Sequence, residues 1–200
     1  MMRRRLIAGA LAAAATVLIA PTRPWAAPDP VAFIKDLGSK AIAVLGPQVP
    51  AAQRLNRFRE LFRDDFDVPE IGRFVLGRYW RTASEQQQAE FLRLFQEYIV
   101  QAYSTRLGEY GGEPFRVIGS RQSGGEIVVT SEIQRQNGSR IAVDWYLVDR
   151  GGRYKISDVY VGGVSMKVTE RDEFGAVIQR NGGQVQALID LLRRKVAATG

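Results

Sequence analysis

The chain contains no cysteine and no histidine among its 200 residues. Without cysteine there can be no disulfide, so packing alone has to hold the fold even in an oxidising compartment. The two absences also exclude serine–histidine and cysteine–histidine nucleophiles, and zinc sites ligated by histidine or cysteine. Carboxylates, lysine, arginine and tyrosine are the side chains left for chemistry.

A concentrated basic surface is also missing. The formal net charge of +7 comes from 28 basic and 21 acidic residues. Four of the basic residues, and none of the acids, precede residue 27: Arg3, Arg4, Arg5 and Arg23. Residues 27–200 therefore carry 24 basic and 21 acidic residues, a net charge of +3. Nucleic-acid binding needs a concentrated basic footprint, so this composition disfavours a nucleic-acid partner.

The apolar run 6–20 has 15 residues, which is too short to cross a bilayer comfortably. It follows three arginines, and small residues around Ala26 and Ala27 come after it. These three parts are typical of a secretory signal peptide. We predict a signal peptide over 1–26, cleaved near Ala26, and a single domain over 27–200. The arginine-rich start leaves both Sec and twin-arginine export open.

Helical periodicity covers residues 29–45 and 50–63, and Pro47 and Pro50 mark the break between the two segments. Asp67 and Glu70 then have the spacing of a capping box. This spacing predicts a helix with an apolar face made of Ile71, Phe74, Val75 and Tyr79.

Ser84 and Gln87 repeat the capping-box spacing and predict a helix over 84–110, ended by Gly111 and Gly112. Its apolar residues form a wide stripe: Phe91, Leu94, Phe95, Tyr98, Ile99, Ala102 and Tyr103. A last amphipathic helix is predicted from Val185, Leu188, Ile189 and Leu192.

Between residues 113 and 161 the hydrophobic period changes to two. Turn signals at 123–125, 137–138 and 151–152 separate four strand-like runs. Alternation places two apolar sets on one face: Ile127, Val129 and Ile133 in the second run, and Ile141, Val143, Trp145 and Leu147 in the third. We predict an α+β fold in which a helical layer packs on one face of a four-stranded, curved antiparallel sheet.

Large, rigid side chains crowd the predicted helical layer: Phe74, Tyr79, Trp80, Phe91, Phe95, Tyr98 and Tyr103. An ordinary core explains any one of them, but their number, opposite a sheet face with Trp145, favours an apolar cavity between the layers. Two interpretations stay open for the neighbouring arginines. Either Arg73, Arg78 and Arg81 cover aromatic edges while keeping their charge in water, or Arg78 or Arg81 lies at a cavity mouth or on a docking surface.

Residues 66–103, 162–174 and 180–196 resemble the MlaC (toluene-tolerance) family of bacterial periplasmic phospholipid-binding proteins. The matching features are an Asp before a short helix, a Gly-Arg-Tyr-Trp sequence, a Phe-rich helix, a Gly-Val-Ser sequence and an Arg-x-x-Phe sequence. Here they are Asp67, residues 77–80, Phe91 with Phe95, residues 163–165 and residues 171–174.

The resemblance implies a periplasmic lipid carrier that holds phospholipid acyl chains between helices and sheet. It implies transfer between an outer-membrane lipoprotein–porin complex and an inner-membrane ABC transporter with an MCE-domain protein, which maintains outer-membrane lipid asymmetry. It implies no enzyme activity, no metal, and no cofactor apart from the bound lipid. A hopanoid-associated carrier of the same family stays open as an alternative.

We predict that the lipid site is lined by apolar residues of both layers. They are Phe74, Val75, Tyr79, Phe91, Phe95, Tyr98, Ile99, Tyr103, Val129, Val143, Trp145, Leu147, Val161, Met166 and Phe174.

Two other classes of protein fit parts of the pattern. One is a small cone-shaped α+β enzyme with Asp144 or Asp158 as base and Tyr146 or Tyr160 as donor. The other is an interaction module whose aromatic residues form an exposed docking patch. Alternation places Asp144 on the solvent side of its strand, opposite Trp145.

Overall fold

The computed structural model of the protein describes residues 29–45, 49–108 and 112–199. The predicted signal peptide, its cleavage site, Pro47 and Gly111 therefore lie outside the described residues. Within the described part, no helix combines the length and the apolar character that crossing a membrane requires.

The described elements are six α-helices, one 3-10 helix and five strands. The helices are α1 (Pro30–Leu45), α2 (Ala51–Asp65), α3 (Val68–Leu76), α4 (Glu85–Gly108), α5 (Met166–Arg180) and α6 (Val185–Thr199), with the 3-10 helix at Gly77–Arg81 after α3. The strands are β1 (Phe115–Ser123), β2 (Glu126–Gln134), β3 (Arg140–Asp149), β4 (Tyr154–Val161) and β5 (Val164–Ser165).

One of the two predicted capping boxes forms. The backbone N–H of Gln87 donates to Ser84 Oγ at 3.2 Å, and the N–H of Ser84 donates to Gln87 Oε1 at 3.1 Å. At α3 the prediction is wrong, because the carboxylate of Asp67 makes no capping hydrogen bond. It accepts hydrogen bonds from the guanidinium of Arg150 instead, at 2.6 and 2.8 Å.

The sheet is antiparallel with strand order β1-β2-β3-β4-β5. The predicted α+β class is confirmed, but the predicted count of four strands is wrong. The fifth strand is only two residues long and pairs with the end of β4 after a tight turn at Gly162 and Gly163. Two residues are too few to produce an alternation signal, so the sequence pattern could not reveal this strand.

A β-bulge explains why the residues of β4 do not alternate cleanly. Tyr146 and Leu147 are neighbours on β3, yet they pair with Asp158 and Ile156, so Ser157 is the extra residue. The bulge reverses the alternation of β4. Ile156 lies on the same face as Trp145 and Leu147, whereas Asp158 lies on the opposite face with Tyr146.

Buried apolar residues form two separate clusters. The larger one, here called the helical cluster, contains buried residues of the five helices α2, α3, α4, α5 and α6, among them Phe91, Phe95, Phe174 and Leu188. The smaller one, here called the sheet cluster, joins α1 to the sheet; its buried members are Ile34, Leu37, Val129, Leu147, Tyr154 and Ile156. The half-buried Phe66 packs against both clusters.

The aromatic stripe of α4 belongs to the helical cluster. Phe91, Phe95 and Ile99 are buried there, and α4 makes its largest contacts with α2 and α6. The helix that crosses β1 and β2 is α1, and its Gly38 lies directly over the ring of Phe115. The aromatic stripe of α4 therefore packs mainly against other helices, although the sequence analysis places it in the layer opposite Trp145. Periodicity identifies an apolar face but not the element that covers it.

Candidate functional site

Val143 and Val161 form a part of the apolar sheet face, here called the border, that belongs to neither cluster. Val143 points to this face of β3 and is only 4 % exposed. Its partner on β4 is Val161, which is 38 % exposed. The apolar surface at this end of the sheet is therefore continuous but incompletely covered.

Two further predicted site residues meet beside this end of the sheet. Met166 follows β5, the strand that pairs with Val161, and begins α5. The hydroxyl of Tyr103, near the end of α4, donates to Met166 Sδ at 3.6 Å. Both side chains are half-buried. Helices α4 and α5 thus come together beside β5.

Trp145 has a fixed orientation on the apolar face of β3. Its indole N–H donates to Ser131 Oγ at 2.9 Å, and the Ser131 hydroxyl donates to the carbonyl oxygen of Val143 at 3.3 Å. Sequence reasoning missed Ser131, although its position between Val129 and Ile133 places it on this face. The polar groups of Trp145 and Ser131 are thus hydrogen-bonded within the sheet, so the face that the sheet presents to the helices stays apolar.

The other predicted lipid-binding residues are divided between the clusters. The helical cluster contains Val75, Phe91, Phe95, Ile99 and Phe174 as buried residues, with Phe74, Tyr79, Tyr98 and Tyr103 packed against it. The sheet cluster contains Val129 and Leu147, with Trp145 packed against it. Thus the fifteen residues do not line one continuous surface, and their contact with lipid stays a prediction.

The phenylalanines of the helical cluster are close-packed. The rings of Phe91 and Phe95 stack with centroids 5.7 Å apart, and Phe174 meets both edge-on at 6.3 Å. These are favourable aromatic geometries. This part of the predicted lining serves as a core.

Cations cover the aromatic residues of α3 and the 3-10 helix. The guanidinium of Arg78 lies 4.9 Å from the ring centroid of Tyr79 and donates to its hydroxyl at 3.0 Å. Lys167 and Arg171 each lie 5.0 Å from the ring centroid of Phe74. Arg78 therefore covers its aromatic neighbour, as the first interpretation expects, but over the ring face rather than the edge. A position at a cavity mouth or on a docking surface stays a prediction for Arg78 and Arg81.

Asp144, one of the two carboxylates considered as a catalytic base, is engaged in the sheet. It lies on the face opposite Trp145, as predicted, but it is half-buried rather than solvent-exposed. It accepts hydrogen bonds from Thr130 Oγ1 at 2.6 Å and from Arg121 at 3.1 Å. Burial acts to raise the pKa of Asp144, but the hydrogen bonds from Arg121 and Thr130 outweigh burial and hold this pKa below its usual value. A lowered pKa makes a weak general base.

The second carboxylate, Asp158, is 3 % exposed and anchors the start of α5. Its oxygens accept hydrogen bonds from Ser165 Oγ at 2.5 Å, from the N–H of Val159 at 2.8 Å and from the N–H of Lys167 at 3.1 Å. Ser165 is in turn the N-cap of α5, accepting from the N–H of Val168. This arrangement gives Asp158 a structural role.

The interaction-module alternative requires exposed aromatic residues. Within the described ranges, the large apolar side chains that are exposed are all aliphatic: Ile42, Ile118, Val161, Val164 and Val168. The aromatic residues named above are buried or half-buried. An exposed aromatic docking patch is thus absent from the described part of the chain.

Comparison with known proteins identifies the family. The family model described as MlaC protein matches residues 39–194. The chain belongs to the MlaC family. The resemblance noted from its motifs is therefore confirmed over most of its length.

Individual members are more distant in sequence. The chain is 29% identical over 126 residues to the toluene tolerance protein ttg2D of Pseudomonas putida, covering 62% of this chain and 59% of that protein. It is 24% identical over 120 residues to the intermembrane phospholipid transport system binding protein MlaC of Haemophilus influenzae, covering 56% of each. The matched segment thus spans somewhat more than half of each relative.

A solved structure shares the fold. The phospholipid-binding protein from Ralstonia solanacearum, determined in complex with a phospholipid, superposes with a TM-score of 0.73 at 21% identity. The superposition covers 86% of this chain and 99% of that one. At this level of identity the likeness establishes a common architecture.

Proposed function

We propose that this MlaC-family protein is a periplasmic lipid carrier. It holds the acyl chains of a phospholipid on the apolar face of the sheet, at the border formed by Val143 and Val161. Family membership supports the class of ligand, and the shared architecture with a phospholipid-bound protein supports the kind of site.

The observation that carries the proposal is the position of Val143. Val143 is buried but belongs to neither cluster, and its neighbour Val161 on β4 is exposed. Displacing the elements that cover Val143 would open apolar surface here without breaking either cluster. Apolar pockets of this type take apolar ligands.

The energetics explain why such a carrier is needed. Burial of one methylene contributes about 0.8 kcal/mol, so two acyl chains with roughly 30 methylenes represent about 24 kcal/mol of gross transfer free energy. A lipid leaving one membrane needs an apolar cavity in place of the bilayer. Such a site requires apolar area and shape rather than a nucleophile, and Asp144 and Asp158 are both engaged in structural hydrogen bonds.

The partners follow from the family. We propose that the carrier exchanges lipid with an inner-membrane ABC transporter that has an MCE-domain protein, and with an outer-membrane lipoprotein–porin complex. The exchange would maintain the lipid asymmetry of the outer membrane, and the protein would act without catalysis. Export by the predicted signal peptide would deliver it to the periplasm.

The test is lipid analysis of the purified protein. The chain is expressed with its own leader in a Gram-negative host, purified from periplasmic extract without detergent, and extracted with organic solvent for mass spectrometry. We expect phospholipid at a fixed molar ratio to protein, and much less with an exported control protein of similar size. Protein free of lipid would contradict the proposal, and selective recovery of hopanoids from a hopanoid-producing host would favour the alternative cargo.

A further inference from the structure

A second feature of the surface lies outside the predicted lipid-binding residues. A groove of about 560 Å³ opens between the end of α2, the start of α3, the middle of α4 and the β3–β4 turn. Its apolar lining consists of Phe66, Val68, Pro69 and Leu92. None of the fifteen residues predicted from the sequence lines it.

One lining residue of the groove, Phe66, packs against both clusters, and its ring lies 4.7 Å from that of Phe62 in the helical cluster. The backbone on either side of this ring is tied to the sheet, because Phe66 forms a bridge with Ile156 and the N–H of Asp67 donates to the Ile156 carbonyl at 2.9 Å. An apolar chain that entered the groove would meet Phe66 first.

The polar lining of the groove is mostly cationic. It contains Arg63, Arg93, Arg150 and Lys155 but only one carboxylate, Asp67. Asp67 is neutralised by Arg150, and Arg63 pairs with Asp64 at 2.9 Å.

Two of the cations are available to a ligand. Among the described residues, no carboxylate lies within 4.0 Å of the charged group of Arg93 or Lys155. The Lys155 ammonium donates to the backbone carbonyl of Asp64, which holds it at the rim. The charge that remains at this groove is therefore positive.

Together these contacts define the chemistry of an occupant. A positive rim above an apolar floor fits a molecule with an anionic head and an apolar tail. Phosphate is the anionic group that arginine and lysine bind most effectively together, because Arg offers a planar fork of donors and Lys a compact charge. Inorganic phosphate has the head chemistry but no tail, so it would leave the apolar floor uncovered.

We propose that this groove binds the phosphate headgroup of an anionic phospholipid, with Arg93 and Lys155 as the main contacts. The inference rests on the proposed lipid-carrier function and adds a headgroup preference to it. A lipid with a net negative head is held more strongly than a zwitterionic one, because the second has an ammonium group that the cationic rim repels.

The test compares headgroups and charge-reversal variants. The lipid-free protein is incubated with vesicles of phosphatidylglycerol or phosphatidylcholine with matched acyl chains, and bound lipid is counted by native mass spectrometry. We expect about a three- to tenfold preference for phosphatidylglycerol in the wild type, as exposed charge-assisted contacts provide. Arg93→Glu combined with Lys155→Glu should abolish this preference.

A matched control separates the groove from overall charge. Arg57 on α2 is exposed and outside the groove, and Arg57→Glu combined with Lys35→Glu changes the net charge equally. This control should keep the preference for phosphatidylglycerol.

Addition of inorganic phosphate distinguishes a lipid headgroup from free phosphate as the ligand of the groove. We expect inorganic phosphate to compete weakly with phosphatidylglycerol, because it cannot cover the apolar floor.

Several results would overturn the inference. Equal loading of the wild type with both lipids would show that the groove does not discriminate between headgroups. An equal loss of the preference for phosphatidylglycerol in the groove and control variants would show the same. Full displacement by inorganic phosphate at equal concentration would identify a free-phosphate site. Unchanged loading with impaired delivery to a partner complex would identify a protein-docking surface. A wild type that takes up no lipid of either kind would contradict the proposed function itself.

Discussion

The helical cluster and the sheet cluster use similar side chains but are closed to different degrees. Among the described residues, the helical cluster contains 18 buried side chains, and its rings Phe91, Phe95 and Phe174 contact one another in stacked and edge-on geometries. The sheet cluster contains six, and half-buried residues such as Phe115 and Trp145 surround it. The first has the packing of a complete core, whereas the second covers only part of the sheet.

This difference suggests a division of roles. A protein without disulfides needs one region that specifies the fold, and the helical cluster meets that need through packing alone. A carrier also needs apolar surface that opens at low cost, which a complete core cannot supply because its close-packed side chains would each lose contacts. The border at Val143 and Val161, which belongs to neither cluster, provides such surface.

The largest expected effect separates the two clusters by stability. Phe95→Ala should lower the free energy of unfolding by about 3–5 kcal/mol, because Phe95 is buried and its removal leaves a cavity in a rigid core. The same change at the half-buried Phe115 should cost about 1–2 kcal/mol, since less apolar area is lost from contact. Urea unfolding of both variants measures the difference. Equal costs would show that the sheet cluster is packed as tightly as the helical one.

The next effect concerns the polar contact that joins α5 to the sheet. Asp158→Asn should lower the free energy of unfolding by about 1.5–3 kcal/mol, because buried donors from Ser165 and Lys167 lose a charged acceptor. Asp36→Asn is the matched control: Asp36 forms an exposed pair with Lys40, and its loss should cost at most about 0.5 kcal/mol. If both variants unfold at the same urea concentration, the anchoring role of Asp158 is wrong.

A smaller effect reports whether the sheet cluster excludes water. Burial raises the pKa of the Tyr154 phenol from its ordinary value of 10.0, and the carboxylates of Asp149 and Asp29 add to the increase. Above pH 10 the phenol therefore ionises first in the unfolded chain. The free energy of unfolding should fall as pH rises from 10 to the folded-state pKa.

Tyr154→Phe isolates this contribution, since the other six tyrosines remain in the variant. The free energy of unfolding, measured from pH 9 upward, should decrease less steeply with pH in the variant than in the wild type. Parallel curves would mean that water reaches the Tyr154 hydroxyl, and that this cluster is open even at its centre.

Much of the architecture could be predicted from local pattern. The capping box at Ser84 and Gln87 forms as expected, and glycines with positive φ lie in all three predicted turns, for example Gly138 with φ 81°. These features depend on residues close together in the chain. Their physical causes, backbone conformation and short-range hydrogen bonds, are visible in the sequence itself.

The features that sequence reasoning missed depend on distant residues. Asp67 has the spacing of a capping residue, but Arg150 lies 83 positions later and takes its carboxylate. Likewise, periodicity showed the apolar face of α4 but not that α2 and α6 cover it. The groove at Phe66 collects cations from three parts of the chain, and no local pattern predicts their meeting.

The central claim, that lipid binds at the border around Val143, is tested most directly by a pair of tryptophan variants on β3. Val143→Trp fills the border, whereas Ala142→Trp adds the same side chain to the exposed opposite face of the strand. The measurement is bound phospholipid per protein by native mass spectrometry, with the unfolding temperature of each variant alongside. The account predicts that Val143→Trp loses lipid while staying folded and that Ala142→Trp keeps it. Full lipid loading of a folded Val143→Trp variant would contradict the claim. The claim would also be contradicted if the wild type carried no lipid and overpacking in the variant lowered the free energy of unfolding by about 1–3 kcal/mol.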